Sequence, residues 1–245
     1  MRKIAAIALF LGSVMMAGLA QAAPISIYTA PDATYQNSIN NPCVFYGPGV
    51  CNNLPPGWPV VGDTGGNNPF DLTNTYGDAP GELALFGQYV GREFLLGLDI
   101  NDTTDAERMD NLTINFFDVN GINIGNYTFA PATQVKSNSN GSGFADFVLS
   151  AGCLGTVGGG AGVLATCTNY APFIAPAGTR SLTFTFGLDP ANDGPDKLFL
   201  ISAGPNGPTP FDVDPTPVPE PASLALLGTG LLGVVRAVRK RKTVV

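Results

Sequence analysis

The sequence has 245 residues, of which 44% are hydrophobic and only 13% are charged, and its formal net charge is −7 at pH 7. It contains no histidine, the side chain that most often acts as a base near neutral pH, so we expect no catalytic residues and no enzymatic activity. Between residues 23 and 218, 18 Asp and Glu stand against five Lys and Arg; this net charge of −13 argues against nucleic-acid binding, which requires basic patches.

The first 22 residues have the three parts of a secretory signal peptide. Arg2 and Lys3 provide the positive start, residues 4–19 are almost wholly apolar, and Ala20-Gln21-Ala22 is a small-x-small cleavage site. We therefore predict cleavage after Ala22 and export of the rest of the chain. An N-terminal anchor that is not cleaved is the less favoured alternative.

Residues 23–216 are predicted to form one exported all-β domain, a β-sandwich or a jelly roll. Several short segments alternate apolar and polar residues with the period of two that indicates half-buried strands, and no long stretch has helical periodicity. Asn120-Gly121 lies between two such segments and predicts a hairpin. Many short strands joined by turns favour two packed sheets. The predicted strands are Ile25–Tyr28, Glu82–Phe86, Gln88–Leu98, Leu112–Val119, Ile122–Phe129, Gly143–Leu149, Ser181–Leu188 and Lys197–Ser202.

The four cysteines are expected to form two disulfides, because their number is even and exported chains reside in oxidising compartments. The favoured pairs are local, Cys43 with Cys51 and Cys153 with Cys167, although four cysteines allow three connectivities. A zinc site is disfavoured, because the chain has no histidine and neither pair has the spacing of a zinc motif.

Two acidic loops offer a candidate cation site. Carboxylate and amide oxygens at close spacing suit Ca²⁺, although the first loop lacks the glycine and the final glutamate of an EF-hand. A solvated acidic loop is favoured over a calcium site in the first case and a turn-rich connection in the second. No other cofactor is expected. The candidate ligands are Asp99, Asn101, Asp102, Asp105, Asp193 and Asp196.

The single tryptophan, Trp58, stands between Gly57 and Pro59 in a region rich in Pro, Asn and Gly. Packing in the core is the favoured interpretation. An exposed aromatic platform for a sugar ring is the alternative.

Residues 217–245 have three parts in a fixed order. Val218-Pro219-Glu220-Pro221 is predicted to be extended, because proline fixes its own φ and disfavours helix in the residue before it. The apolar segment that follows predicts a single transmembrane helix over residues 222–238, although its uninterrupted part is short for a bilayer. A terminal helix packed on the domain is the less favoured alternative. The basic cluster that ends the segment should stay in the cytoplasm; it consists of Arg236, Arg239, Lys240, Arg241 and Lys242.

This tail resembles a PEP-CTERM sorting signal of Gram-negative bacteria through Pro219-Glu220-Pro221, the apolar opening at 222–228 and the basic end. The resemblance implies recognition by an exosortase, a membrane-embedded enzyme similar to cysteine transpeptidases, and cleavage near the Pro-Glu-Pro motif. It also implies release or attachment of the domain outside the inner membrane, together with exopolysaccharide and biofilm.

We therefore expect an exported protein that starts in the inner membrane with its domain facing the periplasm and reaches the cell surface or extracellular matrix after processing. Its expected partners are an exosortase, the inner membrane and extracellular polysaccharide. The alternative is a calcium-dependent carbohydrate-binding module tethered to the membrane. A secreted glycan hydrolase is a third hypothesis, but the many acidic residues make any choice of a catalytic pair arbitrary.

Overall fold

A computed structural model of the protein describes residues 22–31, 34–47, 51, 53–62, 68–77, 81–101, 107–129, 132–135, 143–157, 164–191, 196–203 and 211. The chain divides into two compact units, Met1–Asp212 and Val213–Val245, and every described residue belongs to the first. The predicted signal peptide up to Gln21 and the predicted tail 217–245 lie outside the described residues. Within the described ranges, no helix has the length and apolar character needed to cross a membrane.

Strands make up most of the described chain, and one helix, α1 (Glu82–Tyr89), interrupts them. The strands, in chain order, are β1 (Ala22–Pro24), β2 (Ser26–Thr29), β3 (Cys43–Tyr46), β4 (Val61–Gly62), β5 (Asn68–Tyr76), β6 (Glu93–Asp99), β7 (Glu107–Phe117), β8 (Asn123–Phe129), β9 (Thr133–Val135), β10 (Phe147–Ser150), β11 (Gly152–Cys153), β12 (Thr156–Val157), β13 (Thr166–Cys167), β14 (Tyr170–Ala171), β15 (Phe173–Ile174), β16 (Ser181–Ala191) and β17 (Lys197–Ser202).

Most of these strands belong to two sheets. In the six-stranded sheet the order is β1-β8-β7-β16-β5, and β9 also pairs with β7. In the nine-stranded sheet the order is β12-β13-β2-β10-β6-β17-β3-β4, and β15 also pairs with β6. The described strands β11 and β14 form a separate pair. Neighbouring strands within each sheet are mostly far apart in sequence.

The two sheets pack face to face around one hydrophobic core, so the domain is a β-sandwich and the predicted all-β fold is confirmed. The alternation predicted for β16 is present, because Phe184 and Phe186 are buried while the threonines between them face outward. Aromatic rings connect the sheets: Phe45 of β3 stacks on Phe186 with ring centroids 5.9 Å apart. Phe94 of β6 contacts Phe184 edge-on, with ring centroids 6.0 Å apart.

The central strands of the nine-stranded sheet are buried on both of their sides. Successive residues of its central strands are buried, as in the whole of Phe147–Ser150, which is the pattern of a strand with no exposed face. Tyr35, Leu54 and Val60, from two segments that we call the covering segments (34–41 and 53–60), pack on its outer side. The second apolar cluster that they cover comprises Ala30, Cys43, Leu95, Ala145, Val148, Phe199 and Ile201.

Both predicted disulfides are present. Cys43 is bonded to Cys51 with a Cα–Cα distance of 6.3 Å, and Cys153 is bonded to Cys167 with a Cα–Cα distance of 5.8 Å. The first pair joins β3 to the chain beside the covering segments, and the second joins β11 to β13. The local pairing favoured from the sequence is therefore correct.

The hairpin predicted at Asn120-Gly121 connects β7 to β8. Its loop is longer than a two-residue turn, because Asp118 and Ile122 close it through Asp118 N–H to Ile122 O at 2.9 Å. The Asp118 carboxylate accepts the N–H groups of Asn120 and Ile122 at 2.8 and 2.9 Å, and these bonds lower its pKa. Gly121 has φ +73°, a conformation that glycine adopts without a steric penalty.

The prediction of a strand at Glu82–Phe86 is wrong, because these residues begin α1. Leu83, Phe86 and Gly87 are buried on one side of the helix, a spacing of three and four residues that differs from the strand period. The predicted strand Gln88–Leu98 is wrong in its first part for the same reason. Gly91, at φ +81°, ends the helical region and allows β6 to begin at Glu93.

Candidate functional site

The described ends of the two acidic loops meet at one edge of the nine-stranded sheet. Asp99, at the end of β6, is the register partner of Lys197, at the start of β17. Asp196 lies next to this pair, and its Oδ1 accepts the N–H of Asn101 at 2.8 Å. The structure thus brings together Asp99, Asn101 and Asp196, as a calcium site shared by the two loops would require. Asp102, Asp105 and Asp193 lie outside the described residues.

A further carboxylate, Asp146, joins this cluster without having been predicted. Its Oδ2 accepts the N–H of Ile100 at 2.9 Å, and its own N–H donates to Leu98 O at 2.9 Å. The sequence analysis placed Asp146 inside the predicted strand Gly143–Leu149, where it drew no attention. The only signal was one acidic residue within an otherwise apolar segment, since the pairing of β10 with β6 cannot be seen from the sequence.

Asp99 has a strongly perturbed pKa. Its side chain has no exposed surface, and Lys197 Nζ lies 3.8 Å from its Oδ2. Burial is the largest cause that raises the pKa of Asp99 to about 7; Lys197 lowers the pKa, and the nearby carboxylates of Asp146 and Asp196 raise it. Neither carboxylate oxygen has a hydrogen bond of normal geometry from a described residue, although the backbone amide of Gly143 is close enough to lower the pKa slightly.

The described carboxylates of this cluster have structural contacts. Asp146 and Asp196 each accept a hydrogen bond from a backbone N–H of the two residues that follow β6. Asp99 faces the ammonium group of Lys197. Among the described residues, no group of three or more acidic or cysteine side chains is arranged so that it could hold a metal ion.

Trp58 is a core residue, as the favoured interpretation of the sequence had it. Its side chain is 6% exposed, and its Nε1–H donates to Cys43 O at 2.8 Å. The indole stacks on Phe86 with ring centroids 5.9 Å apart and lies 5.2 Å from the ring of Tyr76. Trp58 is therefore not available as a platform for a sugar ring.

The outer side of the six-stranded sheet carries a regular polar surface that the sequence analysis missed. In one row, register pairs align Thr73 of β5, Thr185 of β16, Thr113 of β7 and Thr128 of β8 across four adjacent strands. In the neighbouring row, Thr75, Thr183, Asn115 and Asn126 are aligned in the same way. We call these eight residues the threonine face.

The threonine face is accessible to solvent. Thr73 is exposed and the other seven residues are partly exposed, although the side-chain oxygen of Asn126 is itself buried. The alternation in Thr183-Phe184-Thr185 and Thr113-Ile114-Asn115 indicated that these side chains point outward. It did not indicate that their strands are neighbours.

Comparison with known proteins gives one result, and it concerns the tail. Neither a curated protein nor a solved structure matches the chain. Residues 217–242 match the PEP-CTERM protein-sorting motif. The match spans Val218–Pro221 and the basic residues Arg236 to Lys242 of the predicted signal, and this motif supports sorting that depends on an exosortase. The chain thus carries a PEP-CTERM sorting motif, as predicted from Pro219-Glu220-Pro221 and the segments that follow it.

Proposed function

We propose that this protein is an exported component of the extracellular matrix, processed near Val218–Pro221 by an exosortase and retained among the exopolysaccharide of a biofilm. The observation that carries the proposal is the match of residues 217–242 to the PEP-CTERM protein-sorting motif. The exosortase recognises the tail, and the sandwich domain is the part of the chain that is delivered outside the cell membrane. We assign no catalytic role to the domain.

The described domain has properties that suit such a cargo. Two disulfides close its loops, and disulfides persist in oxidising compartments outside the cytoplasm. The net charge of −13 between residues 23 and 218 favours solubility at high local concentration. Both properties support function outside the inner membrane.

Deletion of Pro219–Pro221 tests the proposal, with the intact mass of the protein from the host as the readout. The unaltered chain should yield an extracellular species that starts at Ala23 and ends near Pro219–Pro221. The deletion should leave a species that retains Arg239–Val245 in the membrane fraction. Deletion of Pro208–Pro210, a second Pro-x-Pro tripeptide outside the matched residues, is the control and should mature normally. Normal maturation of the Pro219–Pro221 deletion would refute the proposal.

A calcium-dependent carbohydrate-binding module is the second candidate, favoured by the meeting of Asp99, Asn101 and Asp196 at one edge of the sheet. Calcium would need oxygen ligands beyond those that the described residues bring together. Calorimetry of the full chain with CaCl₂, followed by a soluble polysaccharide, tests this candidate. Heat of binding that Asp99→Asn abolishes would support it, and the absence of any heat with Ca²⁺ would remove it.

A further inference from the structure

The threonine face has a composition that selects among the classes of partner. All eight side chains carry hydroxyl or amide groups, which both donate and accept hydrogen bonds, and none is charged. Protein interfaces are anchored by aromatic and aliphatic side chains, and nucleic-acid interfaces by basic ones. Neither type of anchor is present in the two rows. A partner that is itself rich in hydroxyl groups is the chemical complement of this surface.

Several hydroxyl groups of the face make no hydrogen bond within the part of the chain that the structure describes. The hydroxyls of Thr73 and Thr185 contact each other at 3.2 Å, and Asn115 accepts a hydrogen bond from Asn123 at 3.0 Å. By contrast, the hydroxyls of Thr75, Thr113, Thr128 and Thr183 have no hydrogen-bond partner among the described residues, so they are available to solvent or to a ligand.

Charged residues flank the face at both ends, and one end carries Arg108 and Asp71. Arg108, in the same strand as Thr113, pairs with Asp110 and, at 3.0 Å, with Asp189. Asp71 is exposed two residues before Thr73. Since the surrounding domain is strongly acidic, an anionic polymer would be repelled, whereas a neutral one would meet no electrostatic cost.

The opposite end of the face carries apolar side chains beside Asp118 and Arg180. Phe117 follows Asn115 by two residues in β7 and therefore lies on the same side of the sheet, partly exposed. Beyond it, the loop of the β7–β8 hairpin exposes Val119 and Ile122 by 77% and 59%. An aromatic ring of this kind is a surface on which the C–H face of a sugar ring can pack.

We propose that the threonine face binds a neutral polysaccharide, which lies across β5, β16, β7 and β8 and ends against Phe117. The inference rests on the proposed function, because it names the matrix partner of the exported domain. Adjacent rows of side chains are about 7 Å apart along the strands and neighbouring strands are about 4.8 Å apart, so the face presents a dense array of hydrogen-bonding groups to an extended chain. Binding requires no metal and no movement of the sheet.

The test uses the full chain, purified in detergent, and the neutral polysaccharide of the host's own matrix, collected as the fraction that an anion-exchange column does not retain. Affinity electrophoresis and calorimetry measure binding in the presence of EDTA. The triple variant Thr113→Val, Thr183→Val, Thr185→Val removes three hydroxyls and keeps the β-branched shape that strands favour. We expect its Kd to rise at least about tenfold, because each lost hydrogen bond contributes modestly to binding.

Thr29→Val is the matched control, since Thr29 is an exposed threonine of the nine-stranded sheet. It should bind as the unaltered chain does, and both proteins should keep the same melting temperature as a check on folding. Equal binding by the triple variant, binding only to the acidic fraction, or loss of binding in EDTA would overturn the inference. Self-association that the triple variant abolishes, without polysaccharide binding, would show that a second copy of the chain occupies the face.

The two proposals fail in different ways. A protein that is processed at its tail but does not bind the neutral fraction contradicts the inference and leaves the sorting proposal standing. A protein that binds through the threonine face but keeps its tail in the membrane contradicts the sorting proposal alone.

Discussion

The two sheets of the sandwich share one core but differ on their outer sides. The nine-stranded sheet places Val148, Leu95 and Phe199 outward and hides them under the covering segments. The six-stranded sheet places threonines and asparagines outward and leaves them accessible. Burial of its central strands on both sides gives the first sheet a role in stability. The outer side of the second sheet is accessible and can contact a partner molecule.

The largest expected effect comes from placing the same charge on the outer side of each sheet. Val148→Asp would bury an unpaired carboxylate in the second apolar cluster and should lower the free energy of unfolding by at least about 4 kcal/mol. Thr185→Asp, on the threonine face, should change it by about 0.5 kcal/mol. Urea unfolding of the two full-length variants measures the difference. Similar losses in both variants would show that the six-stranded sheet is covered as well.

The second prediction contrasts one acid of each sheet. An acid whose pKa is higher in the folded than in the unfolded protein binds its proton more tightly when folded. The contribution of Asp99 to the free energy of unfolding is therefore fully present below about pH 4 and is lost as the pH rises to about 7. The loss amounts to as much as about 4 kcal/mol, because one pKa unit corresponds to about 1.4 kcal/mol.

Asp99→Asn should remove this pH dependence, so that the variant gains stability relative to the unaltered chain between pH 4 and pH 7. Asp71→Asn, at an exposed position of β5, is the control and should follow the unaltered chain. Melting temperatures across this pH range measure both. If the melting temperature of Asp99→Asn changed with pH in the same way as that of the unaltered chain, the buried carboxylate would not be the cause of the pH dependence.

The third prediction concerns the disulfide beside the covering segments. Cys43→Ala with Cys51→Ala should lower the free energy of unfolding by about 3 kcal/mol, since the cross-link restricts the unfolded chain. It should also expose the outer side of the nine-stranded sheet and increase binding of a hydrophobic dye. Cys153→Ala with Cys167→Ala should lower stability with a smaller increase in dye binding, because this pair is linked to the covering segments through Tyr170, the register partner of Cys153, whose ring contacts that of Tyr35. Equal dye binding by both double variants would contradict the covering role.

The smallest expected effect is that of Trp58→Phe. The change removes the hydrogen bond to Cys43 O and part of the indole packing, so the free energy of unfolding should fall by about 2 kcal/mol. Chemical unfolding followed by circular dichroism measures it. Tyr89→Phe, at a neighbouring ring that contacts Trp58 edge-on, is the control and should change the stability little. If Trp58→Phe left the free energy of unfolding unchanged, the indole would not be what holds segment 53–60 on the core.

Local patterns predicted the parts of this fold that depend on neighbours in sequence. Lys197–Ser202 forms β17 with the predicted bounds, and Asn120-Gly121 turns between β7 and β8. The helix α1 was missed because Leu83, Leu85 and Phe86 belong to an apolar run too short to distinguish the helical from the strand period.

The sites depend on which strands become neighbours, and that choice is made by packing at long range. Asp146 meets Asp99 only because β10 pairs with β6, and Thr73 meets Thr185 only because β5 pairs with β16. The sequence shows which side of a strand each residue occupies. It does not show the order of the strands, and so neither the acidic cluster nor the threonine face could be assembled from it.

The pairing of early strands with late ones has a consequence for how the chain folds. β5 pairs with β16 and β3 pairs with β17, so contacts that complete both sheets join residues more than 100 positions apart. A topology of such high contact order folds slowly. A chain threaded through a membrane from its N-terminal end cannot complete either sheet until residues 181–202 have emerged, so we expect its earlier strands to stay unpaired and open to proteases until then.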